Sequence, residues 1–123
     1  MLDEIRALVE KHCHTLRDEL SEIEACVDRI DNADARSDVL WQGVETTHKI
    51  KGSSGSIGFA KISAAAADLE TVFRAAHEAG ENEIAPKLKD ELNSRFRALQ
   101  SLVVNIRAEE SSLYNAVFPG TAA

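Results

Sequence analysis

The chain contains few of the residues that interrupt helices or cross-link small domains. Among its 123 residues there are two prolines, six glycines and two cysteines. Two cysteines exclude a disulfide-rich scaffold. If Cys13 and Cys26 lie on one helix, they are about 20 Å apart, whereas a disulfide requires Cα atoms within about 7 Å. We therefore expect two free thiols, as is usual in a reducing cytoplasm.

Basic residues and long apolar runs are also scarce. Lys and Arg number 14 against 21 Asp and Glu, which gives a net charge of −7. A nucleic-acid-binding protein usually has a basic excess, and anionic lipid surfaces repel an acidic chain. No apolar run approaches the ~18 residues of a membrane span, and the N-terminus is acidic where a secretion signal is basic. We expect a cytoplasmic protein that binds neither nucleic acid nor membranes.

Apolar residues recur at intervals of three and four along most of the chain, a spacing typical of amphipathic helices. The pattern predicts helices over about 5–30, 38–54, 60–79 and 88–113. Ser37 or Asp34 is expected to cap the second helix, and Gly80 to end the third. No segment alternates with the period of a strand. We predict an all-α fold, an antiparallel up-down four-helix bundle over residues 1–115, and a loose tail over residues 116–123.

The second predicted helix carries the most informative segment, which reads Thr-Thr-His-Lys-Ile-Lys-Gly-Ser-Ser-Gly-Ser-Ile-Gly from residue 46 to 58. At about 100° per residue, His48 lies at the edge of the apolar stripe and faces mostly outward. Histidine has an ordinary pKa of about 6.5, so a neutral ring nitrogen is available near pH 7 to attack a phosphoryl group. Lys51 shares this face and is suited to balance the charge of phosphoryl oxygens. Gly52 costs a helix about 1 kcal/mol relative to Ala, which makes sense where a partner's backbone must approach closely.

These residues resemble the signature of a known family. His48-x-x-Lys51-Gly52-Ser53, followed by Gly58, Ile62 and Leu69-Glu70, is similar to the motif of histidine-containing phosphotransfer (HPt) domains. A mild departure is Ile50, where the family usually has leucine. The resemblance implies a four-helix bundle that acts as a phosphocarrier in a multistep two-component relay.

The resemblance also implies roles for residues and partners. His48 would accept a phosphoryl group from an aspartate of one receiver domain and pass it to another, Lys51 would support the phosphohistidine, and Gly52 would clear space for the partner. The expected partners are response-regulator receivers and a hybrid histidine kinase. Mg²⁺ is expected on the receiver, with no cofactor on this chain. The chain is too short for an ATP-binding kinase domain, so we expect a carrier rather than an enzyme.

The partner is expected to dock around His48, on a face formed by Trp41, Val44, Glu45, Lys49, Gly52, Gly55 and Phe59. Trp is frequent at interface hot spots, but Trp41 and Phe59 are equally suited to cover the core. The distribution of charge supports docking here. Residues 1–45 carry 12 acids and 5 bases, whereas between Glu45 and Asp68 there are three lysines and no acid. Such a segment favours a phosphorylated or acidic protein partner.

Two other hypotheses remain open. A helical adaptor would bind a signalling partner without being phosphorylated, so that His48 is incidental. A metal-binding bundle is suggested by His12-Cys13-His14, although the two histidines point about 200° apart on a helix and so cannot share one ion. A monomer is the simplest expectation, although the long first helix is able to pair with a copy of itself.

Overall fold

The chain folds into four helices. A computed structural model describes residues 2–32, 34–80 and 84–115. The elements are α1 (Leu2–Arg29), α2 (Arg36–Ile57), α3 (Ala60–Ala79), α4 (Pro86–Val104) and a 3₁₀ turn at Ala108–Glu110. Within those ranges there is no strand. Helix α1 packs against α2 and α4, and α3 packs against the same two helices. The predicted all-α, antiparallel up-down bundle is therefore confirmed.

The apolar stripe of each helix supplies the buried interior. Its largest fully buried side chains include Leu16, Ile23, Ile50, Leu69, Phe73, Leu92 and Leu99. Burying each of them contributes about 1.5–3 kcal/mol to folding. Helices α2 and α3 pack tightly, because a Cβ on Gly43 would lie 2.5 Å from the ring of Phe73. Glycine at position 43 thus lets α3 pack tightly along the helix that carries His48.

Two helices end at glycines with left-handed backbone. Gly58 follows α2 with φ of 95°, and Gly80 follows α3 with φ of 59°, a region that side chains other than glycine rarely adopt. The predicted role of Gly80 is confirmed. Helix α2, however, continues through Gly55 and ends at Ile57, about three residues later than the sequence pattern predicted.

The predicted caps of α2 were wrong. The helix begins at Arg36, so Ser37 lies inside it, and Ala35 occupies the capping position without a side-chain hydrogen bond. Asp34 makes no side-chain cap either. The turn is closed instead by Arg36, whose Nε donates a hydrogen bond to the carbonyl oxygen of Ile30 at 2.7 Å.

Helix α4 ends at Val104, earlier than predicted, although the apolar period continues. Ile106 is buried without being helical, because the chain turns back there across the bundle. The amide of Ser112 donates to the carbonyl of Gly58 at 3.1 Å, and the Ser111 hydroxyl donates to that of Ile57. Beyond Val104, the apolar spacing therefore marks residues that are buried, but not residues that are helical. The tail predicted over residues 116–123 lies outside the described residues.

Cys13 and Cys26 are both buried and unbridged, which confirms the prediction of free thiols. Burial raises the pKa of both thiols, so little reactive thiolate forms near neutral pH.

Within the described ranges, no helix is both long and apolar enough to span a membrane.

Candidate phosphotransfer site

His48 lies near the middle of α2, on the side that faces α3. Its side chain is 62% exposed, as the helical spacing predicted. Among the described residues, the ring is anchored at its Nδ1 edge, where it meets a residue of α3. The imidazole is therefore held in place by the bundle while a partner can still reach it.

The residue that anchors His48 is Glu70, a buried carboxylate on α3. Its side chain is 7% exposed, and its Oε2 lies 3.2 Å from His48 Nδ1. An ionised carboxylate only accepts hydrogen bonds, so Nδ1 must carry the proton and donate. In a neutral ring the lone pair is then on Nε2, the nitrogen that does not contact Glu70.

Cationic side chains keep Glu70 ionised. Arg74 Nε donates to Oε2 at 2.9 Å, and Lys51 Nζ lies 3.3 Å from Oε1. Burial by itself would raise the pKa of the Glu70 carboxyl, but Arg74, Lys51 and His48 together outweigh it and lower the pKa below its ordinary value. Glu70 is therefore a carboxylate at neutral pH, as the assignment of the Nδ1 proton requires.

The surface beyond Lys51 is formed by small residues. A Cβ on Gly52 would meet no atom within 4 Å, so this position opens onto solvent. Next to it is a shallow depression of about 470 Å³, lined by Lys51, Gly55, Gly58, Ala60, Ser63, Ala64, Ala67 and Ser112. The Ser63 hydroxyl donates to the carbonyl of Lys51 at 2.7 Å and so fixes α3 against this part of α2. On this flank another backbone can come close to the bundle.

The opposite flank of His48 is aromatic and basic. Trp41 is 44% exposed, and its ring centroid lies 5.2 Å from that of His77 on α3. The guanidinium carbon of Arg74 is 5.9 Å from the Trp41 ring centroid. A chain of contacts therefore runs from an exposed aromatic ring, through Arg74 and Glu70, to the imidazole.

The predicted docking residues separate into two groups. Those exposed at the surface are Trp41, Glu45, Lys49, Gly52 and Gly55, and their contact with a partner stays a prediction. The prediction was wrong for Val44 and Phe59, which are 1% and 5% exposed. Val44 belongs to the buried apolar cluster of the bundle, and the Phe59 ring stacks on that of His12 with centroids 6.0 Å apart. Both are core residues.

A second buried glutamate lies on the other side of α2. Glu19, on α1, is 6% exposed in its side chain, and Lys49 Nζ is its partner in an ion pair at 3.7 Å. Neither carboxylate oxygen of Glu19 has a hydrogen-bond donor among the described residues. Burial raises the pKa of this carboxyl, and Lys49 offsets only part of that effect.

His12 is a structural histidine. It is buried, and its Nε2 is 3.1 Å from the hydroxyl of Ser54 on α2, whereas His14 is exposed. Burial lowers the pKa of His12, so its ring is neutral at neutral pH. Across the described ranges, no three His, Cys, Asp or Glu residues are grouped as metal ligands. The two histidines lie on different sides of α1 and do not form a pair.

The sequence reasoning missed the roles of Glu70 and Arg74. The sequence motif includes Glu70 but does not show that its carboxylate meets His48. A signal was present, because position 70 adjoins the apolar stripe of α3 and a charged residue is rarely buried unless it is paired. Arg74, four residues later, is the helical partner that such a carboxylate requires.

Comparison with known proteins identifies the family. The family model of the Hpt domain matches residues 7–107, which is most of the chain. The chain belongs to the Hpt domain family. Hpt domains serve histidine phosphotransfer in phosphorelays, interact with receiver domains and histidine kinases, and have no kinase domain of their own. No curated protein and no solved structure matched this chain.

Proposed function

We propose that the protein is a phosphocarrier of a multistep two-component relay that carries the phosphoryl group on Nε2 of His48. The observation that carries this proposal is the hydrogen bond between His48 Nδ1 and the buried, ionised Glu70. A carboxylate in that position leaves the lone pair on the exposed nitrogen. The nucleophile is thus prepared before any partner arrives.

The reaction follows from this geometry. The Nε2 lone pair of His48 attacks the phosphorus of an aspartyl phosphate on a receiver domain. The N–P bond forms as the P–O bond to the aspartate breaks, and the electron pair leaves with the receiver's carboxylate. Because Nδ1 keeps its proton, positive charge develops on the ring. Glu70 Oε2, at 3.2 Å, balances that charge, and the same steps in reverse pass the group to a second receiver.

Lys51 acts on the phosphoryl group itself. Its side chain is partly exposed on the same face as His48, and its ammonium is able to contact phosphoryl oxygens while it remains near Glu70. Removing one preorganised donor at developing negative charge typically costs about 10²–10³ in rate. The Mg²⁺ that assists the transfer belongs to the receiver in this proposal, and this chain contributes no metal ligand.

The proposed partners are response-regulator receivers and a hybrid histidine kinase. The acid-free segment between Glu45 and Asp68 suits the acidic phosphorylation pocket of such a receiver, since like charges do not meet. Gly52 and the depression beside Lys51 leave room for the partner's backbone. We place the carrier in the cytoplasm as a monomer, where its two reduced cysteines fit the redox state.

Transfer of label tests the proposal. When the protein is incubated with a ³²P-phosphorylated cognate receiver, label should appear on His48 as an acid-labile phosphate. The His48→Gln variant should take none, while His14→Gln, which removes an exposed histidine of α1, should behave as wild type. If wild type takes no label and His48→Gln supports normal signalling, the protein is a helical adaptor instead.

A further inference from the structure

Arg74 is the charged residue of the site to which neither the sequence motif nor the proposed reaction gives a role. It lies on α3, one turn beyond Glu70. Its Nε donates to Glu70 Oε2 at 2.9 Å, and the same oxygen accepts from His48 Nδ1 at 3.2 Å. Arg74 therefore acts on the oxygen that orients the imidazole, without touching the imidazole itself.

Two properties of Glu70 depend on this contact. The first is charge, because burial favours the protonated carboxyl and Arg74 is first among the hydrogen bonds that oppose it. The second is direction. A carboxylate held by Lys51 at Oε1 and by Arg74 at Oε2 cannot rotate freely. Such outer partners commonly set the tautomer of a functional histidine.

Arg74 is itself held from outside the site. Its guanidinium lies 5.9 Å from the ring centroid of Trp41, within the range of a cation–π contact. Trp41 in turn rests on His77 and is exposed on the expected docking face. A partner that covers Trp41 would exclude water from the Arg74 contact and strengthen it, since such contacts gain energy when they are desolvated.

We propose that Arg74, supported by Trp41, is a positioning residue for phosphotransfer, which holds the Glu70 carboxylate so that His48 keeps its proton on Nδ1. The inference rests on the proposed function for its kinetic consequence. The effect of Arg74 on the His48 tautomer concerns the unphosphorylated protein alone. The inference and the proposed function can therefore fail separately. Trp41 then serves both docking and the orientation of the nucleophile.

The tautomer of His48 provides the first test. In ¹⁵N-labelled full-length protein, ring-nitrogen shifts at alkaline pH distinguish the Nδ1–H form from the Nε2–H form, and His48→Gln assigns the signals. Wild type should be Nδ1–H. Arg74→Met should shift the population toward Nε2–H, and Arg74→Lys should restore part of the original state. Arg97→Met, at an exposed position of α4, should change nothing.

Transfer kinetics provide the second test. At metal sites, loss of an outer partner of a ligating histidine typically lowers activity about 10- to 100-fold, and by analogy we expect about 10-fold for Arg74→Met at saturating phosphorylated receiver. The half-saturating receiver concentration should change little for Arg74→Met, but should rise for Trp41→Leu together with a smaller loss of rate. A merely structural role would not separate these two constants.

Circular dichroism first establishes that each variant keeps its helices. If folded Arg74→Met shows the wild-type tautomer, or transfers at the wild-type rate, the inference is overturned. If wild type shows the Nδ1–H form but accepts no label from any cognate receiver, the proposed function fails, while the hold of Arg74 on the tautomer is still judged by the first test.

Discussion

Two buried glutamates border α2, and they differ in the donors that surround them. Glu70 and Glu19 are almost equally buried, with side chains 7% and 6% exposed. Each has an ion-pair partner beside His48, Lys51 for Glu70 and Lys49 for Glu19. Glu70 also receives hydrogen bonds from Arg74 and His48. Glu19 has Lys49 at 3.7 Å and no hydrogen-bond donor in the described part of the chain.

At Glu70 the surrounding donors outweigh burial, whereas at Glu19 burial outweighs the single cation beside it. Desolvation disfavours the charge of both groups. Two hydrogen bonds and the ion pair with Lys51 reverse that effect at Glu70, whereas one longer ion pair does not at Glu19. The carboxylate on the α3 side is thereby prepared to orient an imidazole. The one on the α1 side weakens the fold at neutral pH.

The largest expected effect belongs to Glu70→Gln. The amide keeps the shape but loses the charge that holds the Nδ1 proton and balances the ring in the reaction, so transfer should fall by about 10²-fold or more. Hydrogen bonds to a charged group are also lost, which should destabilise the fold by about 1–2 kcal/mol. Label transfer and urea denaturation measure the two effects. Wild-type transfer by folded Glu70→Gln would show that Glu70 is only a structural carboxylate, like Glu19.

A larger side chain at position 52 would reduce the space for a partner without changing any charge. Gly52→Gln touches neither glutamate, and its Cβ enters open solvent. Removing a helix glycine should leave stability unchanged or raise it by up to about 1 kcal/mol. Receiver docking should weaken, seen as a higher half-saturating receiver concentration in the transfer assay. The contrasting control is Gly43→Ala, whose methyl group collides with Phe73 and should destabilise the bundle. Unchanged transfer by Gly52→Gln would remove the argument for close approach.

Glu19→Met should have the opposite effect on stability from Glu70→Gln. Methionine fills a similar volume and removes the two carboxylate oxygens that have no donor in the described structure. Replacing such a group by an apolar one is often neutral or stabilising, and we expect a gain of about 1 kcal/mol at pH 7. Lys49 stays in solvent, and transfer should be unchanged. Destabilisation in urea melts would mean that Glu19 has a donor in solution.

The pH dependence of stability should separate the two groups, although the expected differences are the smallest. The Glu70 pKa is below its ordinary 4.5 when folded, so its contribution is present above pH 4.5 and is lost as the pH falls through the folded pKa. The Glu19 pKa is above 4.5 when folded, so stability is lost as the pH rises through that higher value.

Denaturation of wild type and each variant between pH 3 and 8 measures this directly. The deficit of Glu70→Gln should shrink below pH 4.5, and the gain of Glu19→Met should shrink as the pH falls toward 4.5. Differences between variant and wild type cancel the other carboxyls of the chain. Parallel profiles for the two variants would contradict the distinction between the glutamates.

The fold followed from sequence because it depends on local periodicity. Spacings of three and four fixed the helices and placed His48 outward at the edge of its stripe. The helix ends were predicted less accurately. The apolar spacing continues past Val104, where α4 ends, to Ile106, which is buried but not helical. Arg36 closes a turn by a contact to Ile30 that no capping rule contains.

The site was predictable only in part, because its contacts join two helices. His48 and Lys51 are linked by spacing within α2. Their meeting with Glu70 depends on the register of α3 against α2, which the sequence pattern does not specify. Val44 illustrates the same limit, since its wheel angle is close to that of His48 and yet it is buried.

The position of the phosphoryl group on the ring tests the central claim most directly. If Glu70 holds the proton on Nδ1, then Nε2 is the nucleophile. NMR of the ¹⁵N-labelled, phosphorylated protein should therefore show coupling between phosphorus and Nε2 of His48. Phosphorus coupled to Nδ1, or bound to a residue other than His48, would contradict the account.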